Sequence, residues 1–277
     1  GRKDLKAAFA AEGHQLICFP FQIDLRRLHN DPELEQELTE AIQKEVPDAV
    51  FSVAYFVVIS KVCNREGIRY ISWTYDNPHV MLYSQTIINP CNVAYVFDKT
   101  LYMQFHRAGI STVHYLPLAA DTERLDAIMV DQEGSQGYRY NISFLGSLYL
   151  EKNNYYDQLT AVLPDRAKGY LSGLVAAQLK IPEYDLVEES LGLVIKDLYE
   201  ALPMAIQPDG METLEFLYAQ YIINRRITTI ERIDILDAVT KLRPVDLFTY
   251  CKELDIPGLR VHGPVDYENE MPRIFKQ

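Results

Sequence analysis

The sequence has no apolar run near the ~18–20 residues that a membrane-spanning helix requires, and no signal-peptide pattern at its start. Cysteine is scarce. Cys18, Cys63, Cys91 and Cys251 are scattered, with no C-x-x-C pair and no zinc-ligand spacing. Cys18 and Cys63 lie in apolar runs, where buried free thiols are expected, and a reduced, cytoplasmic setting is the expectation. Positive charge is also short: 27 Lys+Arg stand against 39 Asp+Glu, a net charge of −12. That balance excludes the basic surface needed to hold nucleic acid or anionic lipid by general electrostatics. A G-x-G-x-x-G turn, a P-loop, a G-x-S-x-G elbow and an H-E-x-x-H helix are all missing. The six histidines are dispersed, and no two aspartates are spaced i, i+2 to grip a metal–nucleotide. Chemistry without a metal or cofactor is therefore expected.

What is present is an ordinary globular composition, 48% hydrophobic and 24% charged over 277 residues, enough for one large or two medium domains. Gly1 stands almost inside a helical pattern and Gln277 inside another, so a piece of a longer protein is expected. Along the first two-fifths, short β-like runs alternate with helical ones. Lys3 to Glu12 reads as helix ended by Gly13, and Gln15 to Phe19 as a strand. Asn30-Asp31-Pro32 is a helix start, with Leu34, Leu38, Ala41, Ile42 and Val46 on one face. Strands follow at Ala49 to Tyr55, Ile68 to Thr74, Val93 to Phe97 and Thr112 to Leu116, separated by helices that Gly67 and Gly109 close. Near-continuous apolar strands alternating with helices mark parallel sheets covered on both faces, an α/β fold. Gly134-Ser135-Gln136-Gly137 reads as a linker, so residues 1–137 and 138–277 are the expected domains. The second opens with a strand over Tyr140 to Leu145 and carries a largely helical stretch from Asn153 to Leu242. It closes with strands at Val245 to Tyr250 and Leu259 to His262.

Parallel sheets bind ligands beyond the carboxyl ends of their strands, so the residues placed there are the functional candidates. The densest polar cluster is Ser72-Trp73-Thr74-Tyr75-Asp76-Asn77-Pro78-His79. Asp76 and His79 could serve as a base and its partner, or bond the hydroxyls of a polyol; an Asx turn ahead of Pro78 is the plainer alternative. Asp98 after the next strand reads as a helix cap. Gly146 and Ser147 end the first strand of the second domain, where backbone amides could meet a phosphate. His262 and Gly263 end the last strand, where a nucleotide could lie or the chain could merely turn.

The strings ISWTYDNPHVMLYS (71–84), VFDKT (96–100), HYLPLAAD (114–121), NISFLGSLY (141–149) and HGPVDYENEMPRIFK (262–276) resemble one bacterial family. It is the spore-maturation CgeB-like glycosyltransferases, whose first domain is the region called DUF3880. The resemblance implies a GT-B architecture: two Rossmann-like domains, acceptor mainly on the first and nucleotide-sugar donor mainly on the second, with no metal. Within that architecture, their positions at the carboxyl ends of expected strands make Asp76 and His79 the catalytic candidates, with Trp73, Tyr75 and Asn77 expected against a saccharide or protein acceptor and Gly146, Ser147, His262 and Gly263 against the donor. By the family pattern a strand before the first helix is missing and the second domain is truncated. A non-catalytic glycan- or nucleotide-binding module of the same fold is the alternative.

Overall fold

Strands that are apolar on both faces are satisfied only inside a covered sheet, and this chain builds two. The computed structural model describes residues 2–20, 27, 29–129, 139–150, 154–251 and 254–276. In the first sheet β1 (Ala49–Val53), β2 (Arg69–Thr74), β3 (Asn92–Val96) and β4 (Val113–Tyr115) lie side by side in sequence order, all parallel. The second sheet is also parallel and in order: β5 (Ser143–Leu145), β6 (Val245–Phe248) and β7 (Leu259–His262). The chain is thus mixed α/β with two parallel sheets, compatible with Rossmann-like folds.

The helices around the first sheet begin and end where side-chain chemistry dictates. α1 spans Arg2–Ala11, and Gly13 beyond it takes a positive φ. α2 (Pro32–Glu45) is capped by Asp31, which accepts from Leu34 N, with proline at its first turn. Of its expected apolar face Leu38 and Ile42 are buried, whereas Val46 is a left-handed C-cap, 79% exposed. Its amide closes onto Ile42 O, so the helix ends one residue before the side chain could pack. α3 (Val57–Glu66) ends at left-handed Gly67, and α4 (Lys99–Arg107) starts under Asp98, which accepts from Thr100 N and Leu101 N. Tyr55, Val57, Val62, Cys63, Tyr70, Leu82, Ile87, Ala94 and Val96 form the core they enclose.

Two expectations fail here. Residues 15–19 form no strand, because an apolar run without a ladder partner has no sheet to join. Cys18 within it is exposed rather than buried, while Cys63 is buried as expected.

After α5 (Thr122–Ala127) and β5 comes a helical stretch with its own core. α6 (Tyr155–Val162), α7 (Asp165–Gln178), α8 (Val187–Ser190), α9 (Ile195–Ala201), α10 (Leu214–Tyr218) and α11 (Asn224–Thr240) surround Leu159, Leu171, Leu191, Leu198, Tyr218 and Ile223. A π-helical turn, Ala219–Ile223, joins α10 to α11. The smaller sheet has a distinct core of Leu148, Leu236, Val245 and Leu247, and α12 (Met271–Lys276) follows it. The chain divides into two compact units. An N-terminal unit comprises Lys6–Ala120 and Ala205–Thr213, and a C-terminal unit comprises Gly1–Leu5, Asp121–Met204 and Leu214–Gln277. The expected linker Gly134–Gly137 and the 137/138 boundary lie outside the described residues. Among the described residues no helix is long and apolar enough to cross a membrane.

Candidate functional site

In the N-terminal unit the carboxyl end of β2 leads straight into the polar cluster. Register sets Trp73 beside Val53 and Tyr95, and strand alternation puts Ser72 and Thr74 on the opposite face. Ser72 Oγ, Trp73 Nε1 and Thr74 Oγ1 are buried, and none has a hydrogen-bond partner among the described residues. Buried polar atoms are rarely left this way; those of Ser72 and Thr74 share one face of β2, and that of Trp73 lies on the other. A cis peptide joins Asn77 to Pro78. Asn77 Nδ2 donates to Asp98 Oδ2 at 2.8 Å. Asp98 is therefore both the expected cap of α4 and an anchor for the loop.

His79 is partly buried, and its Nε2 lies 2.8 Å from the Tyr55 carbonyl. A carbonyl only accepts, so Nε2 carries the proton and Nδ1 keeps the lone pair. Burial pushes this imidazole below its ordinary 6.5, against the Tyr55 carbonyl and the Asp76 carboxylate, which both favour the charged form. Asp76 is thus close enough to be felt at His79 while itself remaining exposed. The pair has the elements of a base and a charge partner. Tyr75 is 53% exposed.

A second polar chain lies deeper in this unit. Asn92 Nδ2 donates to Tyr55 Oη at 3.3 Å, Tyr55 Oη meets Thr86 Oγ1 at 2.9 Å, and Thr86 Oγ1 meets Ser84 Oγ at 2.9 Å. Ser84 Oγ donates to Asp209 Oδ2 at 2.6 Å, and His29 Nδ1 lies 2.9 Å from Asp209 Oδ1. Burial raises the Asp209 carboxyl, yet the Ser84 hydroxyl and the His29 ring together hold it below the usual carboxylate value. The backbone of residues 205–213 is pinned to the same unit, with Gln85 N on Asp209 O and Met211 N on Tyr83 O. Every oxygen in this chain is spoken for, so its role is to hold structure.

In the C-terminal unit the register aligns Leu145, Phe248 and His262 across the sheet. Gly146-Ser147 and His262-Gly263 consequently share one carboxyl edge, with Thr249 between them. The Thr249 hydroxyl is buried and unpartnered among the described residues. The Gly146 amide was expected to face a phosphate; instead it donates to Phe248 O at 3.0 Å, extending the β5–β6 ladder. Ser147 turns the chain: its Oγ accepts from Tyr149 N at 2.9 Å, and Tyr149 adopts a positive φ of 55°. At Gly263 no atom of the described residues, its two chain neighbours aside, lies within 4 Å of a Cβ position, so no close approach among them calls for glycine there.

The cations at this edge come from α11. Arg232 Nη1 donates to the Ser147 carbonyl. The Arg232 guanidinium lies over the rings of Phe144 at 5.6 Å and Tyr149 at 4.9 Å, and that of Arg225 over Tyr149 at 4.8 Å. Neither has a carboxylate partner among the described residues, so both charges stay available to an anion. The pair was missed at the sequence level, although its i, i+7 spacing puts both residues on one helix face. His262 is held by a buried partner, Asp246 Oδ1 at 2.8 Å from Nε2, and its ring stacks on Phe248 at 4.5 Å and 14°. Asp246 carried no sequence signal, because only the strand register brings it to His262.

Among the described residues, no three His, Cys, Asp or Glu side chains converge as a metal ion would need. No family model matches the chain, and neither a curated protein nor a solved structure matches it.

Proposed function

We propose that the chain is a GT-B glycosyltransferase of the CgeB-like kind, moving a sugar from a nucleotide donor to a hydroxyl of a saccharide or protein acceptor. The observation that carries this reading is the division of labour between two parallel-sheet edges. One has an imidazole–carboxylate pair beside orphan hydroxyls, and the other has guanidinium groups and a stacked imidazole. His79 Nδ1 takes the acceptor proton as the acceptor oxygen bonds the anomeric carbon. The bond from that carbon to the donor phosphate breaks, and the nucleoside diphosphate leaves with the electron pair. Asp76 steadies the imidazolium that forms, and Trp73, Tyr75 and Asn77 frame the acceptor. Arg225 and Arg232 meet the diphosphate charge that the Gly146 amide cannot reach, and His262 lies beside the nucleotide. Electrostatic neutralisation of the leaving group replaces a metal in this scheme.

Donor turnover with a panel of nucleotide sugars and neutral or charged glycans tests it. His79→Ala should lower turnover by roughly 10²–10⁴-fold, the range of a lost general base, with donor affinity preserved. Donor binding with no transfer by the unaltered chain would leave a nucleotide-binding module instead, and intact transfer by the double variant Asp76→Asn, His79→Ala would remove the assigned base.

A further inference from the structure

At the carboxyl edge of the first sheet, α3 begins without a cap. Its N-cap residue Phe56 offers no side-chain hydrogen bond, and the amides of Val57, Val58 and Ile59 have no partner among the described residues. All three residues are buried, so water does not satisfy these amides either. A helix start buried without partners is rare, because each orphaned donor carries its full desolvation cost. A second, independent observation lies beside it. Ser72 and Thr74 are each only 1% exposed, and their hydroxyls are likewise unpartnered among the described residues. Register and hydrogen bonds bring the two sets together. Ser72 pairs with Ser52, whose hydroxyl donates to the Ala54 carbonyl at 2.6 Å. One residue beyond the β1–β2 ladder the Ala54 amide donates to the Trp73 carbonyl at 3.0 Å, which sets Ala54 opposite Thr74. Ala54 then turns the chain at a φ of 69°. The Phe56 amide donates to Tyr70 Oη at 2.9 Å, and Tyr70 shares its face of β2 with Ser72 and Thr74. The first turn of α3 therefore starts over the orphan hydroxyls.

What this place lacks is an acceptor. The amides can only donate, the hydroxyls are free to do so, and the positive end of the α3 dipole stands behind them. The carbonyls of Ala54, Tyr55 and Trp73 are already engaged by the Ser52 hydroxyl, His79 Nε2 and the Ala54 amide. A water molecule would accept two of these protons and find few acceptors for its own. A carboxylate has too few oxygens to reach amides and hydroxyls on two elements, whereas a tetrahedral phosphate has enough. From these orphaned donors we infer that the start of α3 and the end of β2 form a binding site for a phosphate group. The Val57, Val58 and Ile59 amides meet its oxygens from the helix, and Ser72 and Thr74 from the strand. Neutral donors and a helix dipole hold the charge, with no need for a cation. Thr74 is the last buried residue before the exposed Tyr75, Asp76 and Asn77, so the group enters from the sheet edge. Asp76, the nearest acid in sequence, is exposed and screened by water. The inference does not rest on the glycosyltransferase reading.

The phosphate could be the free ion or an ester, so both are used as probes. The full chain, carrying isotope-labelled valine, is titrated by NMR with inorganic phosphate, with phenyl phosphate and, at matched ionic strength, with sodium chloride. The Val57 and Val58 amide protons should move downfield and saturate with a Kd of about 1 mM or tighter for at least one phosphate, and chloride should not reproduce the shift. Saturation by inorganic phosphate alone makes the free ion the occupant; saturation by phenyl phosphate makes it an ester. The double variant Ser72→Ala, Thr74→Val should bind the same probe about tenfold or more weakly. In phosphate-free buffer its melting temperature should be no lower than that of the unaltered chain, because the hydroxyls it removes bond nothing. Thr74→Ser, which keeps a hydroxyl, should retain the affinity. The inference is overturned if neither phosphate gives a saturable shift, if chloride shifts the same amides equally, or if the double variant binds undiminished. A double variant that melts earlier or fails to fold would overturn it too, since the hydroxyls would then have partners within the fold.

Discussion

His79 is the residue whose chemistry depends most on its surroundings. Because burial holds its folded pKa below the ordinary 6.5, the unfolded chain binds a proton there that the folded chain refuses. Stability is therefore full above the ordinary value and falls as the pH drops below it. His79→Gln keeps a donor for the Tyr55 carbonyl and removes the titration. Its urea midpoint should change less than that of the unaltered chain between about pH 7.5 and about pH 5.5; identical changes would show that His79 is not depressed. Cysteine offers a plainer check. Burial pushes the Cys63 thiol up to about 12, whereas Cys18 is exposed. A thiol reagent on the native chain should label Cys18 and leave Cys63 intact until the chain is unfolded, with mass mapping as the readout. If the proposed donor edge is right, Arg232→Met, which keeps the stem over Phe144 and Tyr149 but removes the charge, should weaken nucleotide-sugar binding by about tenfold.

At the scale of elements, α4 stands on one carboxylate. Asp98→Ala removes both its cap and the Asn77 anchor, so a loss of about 0.5–2 kcal/mol is expected in urea unfolding. Asn77→Ala, which spares the cap, should cost less; the reverse order would separate the loop from the helix. Caps of this kind were legible in the sequence, as were the strand–helix–glycine alternation and the β7 limits, because each depends on residues within one turn of each other. Residues 15–19 misled for the opposite reason: their pattern was strand-like, but a strand exists only through a partner. The same distinction divides the site. Asp76 and His79 stand three apart and could be read together, whereas Asp246 reaches His262 only through register. The Arg225–Arg232 face was written in the heptad spacing, but its target, the turn at Ser147–Tyr149, lies far away in the chain.

At the scale of the molecule, each unit has its own packed interior. Leu82 and Leu171, both fully buried, belong to different cores. Truncation of either to alanine should cost about 2–5 kcal/mol, and hydrogen exchange should show the loss of protection concentrated in the unit that carries the change. Uniform loss across both sheets would mean that they unfold as one. The excursion of residues 205–213 bears on how this protein can be taken apart. The N-terminal unit is not a contiguous stretch, because nine of its residues are delivered from between α9 and α10. A fragment ending at Ala120 would leave the buried Ser84 hydroxyl without its acceptor and the His29 ring without its carboxylate. Supplying residues 205–213 as a separate peptide should restore what the truncation removes, so that strand breaks elsewhere in the chain are tolerated only while this clip is retained.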